Sequence, residues 1–259
     1  MNTSGLREYV TSFQQSDGSI MSTAHAKTTA EFLLVHRFCP EIHAGNLESA
    51  RSFLREALPV FASHELKKDF RSMESIWQVA VGIPEDTMRL SDTFAEIACS
   101  PATPAVKSAL LLLLSLQGYP YPEELREEVI SYQYDLFTSP SLDALYETTH
   151  NCMTFWAGRS PEYEDIIMKS CVFLSHHLLS YAYCIDLVAE SLGVLMLMDH
   201  EITVSEEAFS LLEQNQNADG GFPIFEGGPS EFHPSLVVLW ALTALEKKGH
   251  ENEKKHFHG

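Results

Sequence analysis

Two stretches at opposite ends of the chain read alike: Phe13-Gln-Gln-Ser-Asp17-Gly18-Ser-Ile20 and Gln214-Asn-Gln-Asn-Ala-Asp219-Gly220-Gly221-Phe222. Each closes one helical pattern and hands over to another that begins just after a histidine, His25 in the first case and His233 in the second. Internal similarity of this kind is the mark of a structural unit repeated along the chain, here a helical hairpin repeated about an axis.

Working outward from these turns, apolar residues recur with helical spacing from end to end, and period-two strand patterns are hard to find. The spacing predicts about twelve helices, over 4–15, 25–38, 46–65, 70–80, 87–99, 102–117, 122–138, 142–157, 161–179, 181–199, 204–216 and 233–248. Pro40, Pro84, Pro101, Pro104, Pro120, Pro122, Pro140, Pro161 and Pro229 all fall between helices or in the first turn of one, where a missing N–H does no harm. The boundary between the ninth and tenth helices has no breaker, so 161–199 also reads as one bent helix. The last residues, 249–259, form a polar tail that should fray. Twelve helices in short-loop hairpins suit a single all-α domain over 1–248, closed into a ring in which outer and inner helices alternate. The even-numbered helices then line the centre.

Composition limits what such a ring can bind. Asp and Glu total 36 against 17 Lys and Arg, a formal charge of −19 that repels phosphate backbones and anionic headgroups. Nucleic acid and membrane surfaces are therefore not expected partners, and a small-molecule or peptide substrate is. The start of the chain lacks the basic and apolar pattern of a secretory signal. The apolar runs fall short of the ~20 residues needed to cross a bilayer. Five cysteines with no Cys-x-x-Cys pair argue against a disulfide framework or a thiolate zinc cage. A reducing, cytoplasmic setting is the expectation.

Chemistry has to come from polar residues turned inward. Asp186 and Glu190 are four apart on a helix whose other residues are mostly apolar, so they share one face of an enclosed element. Two carboxylates removed from water need a cation, a proton or an arginine, or their burial costs several kcal/mol. Helices 142–157 and 181–199 contain no Lys or Arg, which favours a metal or a proton over a salt bridge. His150 on the eighth helix and His233 at the start of the twelfth complete a mixed nitrogen and oxygen set, suited to a divalent ion: iron ahead of zinc or manganese. A buried imidazole bonded to a carbonyl or to Asp186 is the plainer reading of each histidine. Glu31 echoes Glu190 in the pseudo-repeat and is a candidate acid or base, with a surface glutamate as the alternative. Tyr183, one turn before Asp186, is a candidate donor to that carboxylate. Phe155, Trp156, Phe222, Phe225, Phe232 and Trp240 either shape an apolar pocket or are plain core.

The run from Gln214 to Phe222, followed by the helix that starts at Phe232 and His233, resembles the repeat of the terpene-cyclase and protein-prenyltransferase superfamily. The resemblance implies an α/α toroid of about six hairpins, and a histidine in the place of His233 binds zinc in the prenyltransferases. The chain is also similar to an uncharacterised bacterial family of toroid proteins associated with natural-product gene sets. Tyr146-Glu-Thr-Thr149-His150, Asp186-Leu-Val-Ala-Glu190 and His233-Pro-Ser-Leu-Val237 carry that likeness. The cyclase Asp-x-Asp-Asp acid is absent, and the prenyltransferase Asp-x-Cys pair stands reversed as Cys184-Ile-Asp186. Neither activity is implied. The resulting expectation is a metal-dependent tailoring enzyme, iron-dependent and oxidative in its leading form. A non-catalytic binder of a cationic ligand or peptide and a metal-free acid catalyst of the cyclase type are the alternatives.

Overall fold

A computed structural model describes residues 1–21, 26–64, 103–118, 120–198 and 206–257. Among them are ten α-helices and no strand, so the all-α expectation holds: α1 Thr3–Ser12, α2 Ala26–Phe38, α3 Leu47–His64, α4 Pro104–Gln117, α5 Glu123–Phe137, α6 Leu142–Gly158, α7 Glu164–His177, α8 Ile185–Met198, α9 Glu206–Gln214 and α10 Phe232–Phe257. The helices predicted over 70–80 and 87–99 lie outside the described residues, as does His25. Two boundaries differ from expectation. The unbroken tract 161–199 is interrupted by a 3-10 turn at Leu178–Tyr181, and α10 continues to Phe257 through the segment read as a tail.

The chain divides into two compact units. The first comprises Met1–Phe13, Val35–Gly45 and Cys171–Gly259, and the second Gln14–Leu34 and Asn46–Ser170.

In the first unit, α8 packs along α10. Every residue of α8 from Ile185 to Met196 is buried, so it has no solvent face and must be enclosed on all sides. Gly193 makes the approach possible: a Cβ there would lie 2.7 Å from the ring of Trp240 on α10. Trp240 also stacks on Phe38, with centroids 5.8 Å apart. Asp186 meets His233 and, two turns further along each helix, Gly193 meets Trp240, so α8 and α10 run in the same direction. Helix α9, between them in sequence, buries only Ala208 and Leu212, the one-stripe pattern of an outer helix.

The second unit repeats this arrangement with different chemistry. Helix α5 buries Leu125, Val129 and Gln133, again one stripe at a spacing of four, whereas α4 and α6 are buried over most of their length. Gln133, late in α5, bonds Thr148, early in α6, and Arg126, early in α5, pairs with Glu162 beyond the end of α6; α5 and α6 are antiparallel. A buried polar chain locks the register of α4, α5 and α6. Ser108 bonds Asn151 and Thr154, Asn151 donates to Gln133 at 2.8 Å, and Gln133 donates to Thr148 at 3.0 Å.

The Asp17-Gly18 and Asp219-Gly220 turns match bond for bond. Gly18 N–H reaches the Gln15 carbonyl and Gln15 N–H the Ser19 carbonyl; Gly220 and Asn217 do the same with Asn217 and Gly221. Asp17 and Asp219 each accept the N–H two residues on, at 2.9 and 3.1 Å. Gly18 and Gly220 sit at φ +91° and +88°, a region closed to most side chains, and any Cβ would strike the Ser49 and Gly5 carbonyls respectively. One glutamine then reaches from each turn to a helix cap. Gln14 donates to the Asn46 carbonyl at 2.8 Å and accepts its N–H at 2.6 Å, and Asn46 caps α3 through Ser49 N–H. Gln216 donates to the Asn2 carbonyl at 3.1 Å and accepts its N–H at 2.9 Å, and Asn2 caps α1 through Gly5 N–H. The end of each turn is tied to the next helix by a hydroxyl, Thr29 on α2 accepting from Ile20 N–H and Ser235 on α10 from Phe222 N–H.

Two outcomes follow from these contacts, both read from thermal melts. Gln216→Ala and Gln14→Ala should each lose about 1–2 kcal/mol, because both bonds to an N-cap residue go together. Gly193→Ala should cost about 1–3 kcal/mol, because the added methyl must displace an indole already held against Phe38.

Candidate metal centre

Asp186 lies in the first turn of α8, where helix-end N–H groups favour a carboxylate. The preceding residues are fixed from outside the helix: Asp186 N–H donates to the Ile224 carbonyl at 3.3 Å, and Glu226 N–H to the Tyr183 carbonyl at 2.9 Å. This pairing of 183–186 with 224–226 explains why the helix starts at Ile185 and not at 181. Glu190 follows one turn later on the same face. His233 stands in the first turn of α10, just before Pro234, whose missing N–H is harmless there.

Three donors therefore meet near the starts of two parallel helices. One ligand atom each from Asp186, Glu190 and His233 lies within 4.8 Å of the other two. His233 Nε2 is 3.6 Å from Asp186 Oδ1 and 3.9 Å from Glu190 Oε2. Both separations are too long for hydrogen bonds. An ion at about 2.0–2.2 Å from each donor would hold them about 3–3.6 Å apart, so small rotations of the side chains would close the set around one. The carboxylate side chains are 8% and 4% exposed, while the imidazole is 38% exposed, which leaves one side of the trio open to a ligand. Neither α8 nor the first fifteen residues of α10 contains Lys or Arg.

The other predicted residues lie as follows. Tyr183 precedes α8, is half exposed and stacks on Phe225, with centroids 6.2 Å apart. Glu31 lies in the second unit, on α2, 3.7 Å from Lys27 one turn earlier; its side chain is 15% exposed, less open than a surface glutamate. His150 is half-buried on α6 in the second unit, where its carbonyl accepts from Thr154. Of the aromatics, Phe155, Phe222, Phe232 and Trp240 are fully buried core, and Phe225 is half exposed.

Two contributors escaped the sequence reading. The segment 222–226 positions the start of α8 by backbone bonds alone, which no side-chain pattern announces; Pro223 was its one signal of extended chain. Gly193, a lone glycine inside an apolar helix, marks a close approach, and that signal was present to be read.

Comparison with protein-family models, with curated proteins and with solved structures finds no match. No helix among the described residues is long and apolar enough to cross a membrane.

Proposed function

We propose that Asp186, Glu190 and His233 hold a divalent metal ion, and that the protein is a metal-dependent enzyme acting on a small or peptide-like molecule. The observation that carries this reading is the convergence of three donor atoms within 4.8 Å on two parallel helices, with both carboxylates buried and the imidazole partly open. A carboxylate pair withdrawn from water is costly unless positive charge compensates it, and an ion shared with the imidazole supplies that charge. Three protein donors leave positions for substrate or water, as catalytic sites do and closed structural sites do not. Bound there, the ion would act as a Lewis acid or a redox centre; iron suits the mixed donor set ahead of zinc or manganese.

The scaffold is read as an α/α toroid of the kind the sequence resembles. Two features support it: a one-stripe helix between two buried helices in each unit, and the matching glutamine clasps. In the first clasp an early turn grips the cap of α3. In the last, the turn before α10 grips the cap of α1, as the final hairpin of a closed ring would. The uncharacterised family that the sequence resembles is associated with natural-product gene sets, and that resemblance makes a tailoring step on such a product the specific form of the proposal.

Elemental analysis of the full chain, purified without added metal, should find about one equivalent of a transition ion. Asp186→Ala and His233→Ala should lose it, whereas Glu31→Ala, in the other unit, should keep it. A chelator should lower the Tm of the wild type by several degrees. Absence of stoichiometric metal, or retention of it by His233→Ala, overturns the proposal. The trio would then be a carboxylate pair bridged by imidazole, as a binder of cations or a metal-free acid catalyst would have it.

A further inference from the structure

The turn that delivers Asp186 also carries two rings that a folded chain would ordinarily cover. Tyr183 and Phe225 are each 50% exposed and stack nearly parallel, with planes 19° apart. Tyr181 adds a third ring, tilted, with its centroid 6.4 Å from that of Tyr183. Single exposed aromatics are common, but a stacked pair held at the surface keeps a flat apolar face in water. The pair is not on a loose loop. The backbone bond from Glu226 to Tyr183 and that from Asp186 to Ile224 fasten the two ring-bearing segments to the start of α8, with Tyr183 three residues before Asp186.

Resting on the metal-centre reading, we propose that Tyr183 and Phe225 form a platform for the substrate, and that the substrate is a planar conjugated or aromatic molecule with a metal-binding oxygen or nitrogen pair a few atoms from its ring. The fixed relation between platform and Asp186 lets one small molecule lay its ring on the aromatic face while its donor group reaches the open side of the trio beside His233. Stacking and ligation then act through one rigid ligand, so neither has to be strong alone.

The test compares two probes that bind metal through the same hydroxamate and differ in the ring: benzohydroxamate and acetohydroxamate. Full-length protein loaded with Co(II) is titrated with each, and the visible absorption of the bound cobalt is followed. The proposal expects benzohydroxamate to bind about tenfold tighter. Phe225→Leu and Tyr183→Leu, which keep apolar bulk but remove a ring, should abolish the preference and leave acetohydroxamate unchanged, while Phe225→Tyr should retain it. Equal binding of the two probes by the wild type, or a preference that survives both leucine variants, overturns the platform and leaves the metal centre standing. Failure of the wild type to take up Co(II) overturns the metal centre, and the platform with it.

Discussion

The close approach of α8 to α10 is the constraint on which the first unit depends. It is possible only because residue 193 has no side chain: the indole of Trp240 occupies the space that a Cβ would need. Two turns earlier on each helix the same alignment brings Asp186 opposite His233, with Glu190 one turn deeper on the same face. Helices are stiff over two turns, so spacing at the glycine and spacing at the donors are one quantity. A shift that relieved crowding at Trp240 would carry the carboxylates away from the imidazole. The indole is in turn held by Phe38, so the core fixes the geometry of the polar trio from below.

The ends of these helices are set by a different device. In each of the two matching turns an aspartate, a glycine at positive φ and a glutamine perform three separate tasks: the aspartate braces the turn, the glycine lets the backbone pass close to a neighbouring carbonyl, and the glutamine satisfies both backbone groups of an N-cap asparagine. The cap carbonyls already accept from Leu6 and Ala50 N–H, so it is the cap N–H that needs an external partner, and a primary amide can accept it while donating to the second lone pair of the carbonyl. An acidic side chain could accept but not donate. This explains why the repeat is legible as a pairing of Gln with Asp-Gly and not as a pattern of hydrophobic residues.

How much was legible follows from where each signal resides. Repeat turns, helix identity and the Asp186 and Glu190 pair are local in sequence, and their spacing states the geometry directly. His233 was legible through its place at a helix start, since a histidine before proline at such a start has few orientations. Tyr183 was misplaced because the apolar tract that contains it has no breaker. The interruption is imposed from forty residues away by the backbone of 224–226, and tertiary hydrogen bonds of that kind leave no periodicity to detect. Glu31 and His150, which counting helices around a ring groups with the trio, lie in the second unit on α2 and α6. Counting gives parity, inner or outer, but not the depth along a helix at which a side chain emerges.

That distinction of depth bears on why chemistry would sit at the starts of α8 and α10. Mid-helix positions on an enclosed element face other helices, and a polar group there must be satisfied by another side chain, as Asn151 and Gln133 are in the second unit. First-turn positions differ in two ways. Free N–H groups stabilise an anion, and the end of the helix is where the packed interior meets open space. Asp186 and His233 occupy such positions, with Glu190 one turn deeper as the most buried of the three. The result is a graded site, closed at its carboxylate floor and open at its imidazole, with the aromatic pair of Tyr183 and Phe225 fastened to the same turn. A core made of parallel helices thus presents its polar trio at one end, while the glycine and indole below hold Asp186 and His233 in register.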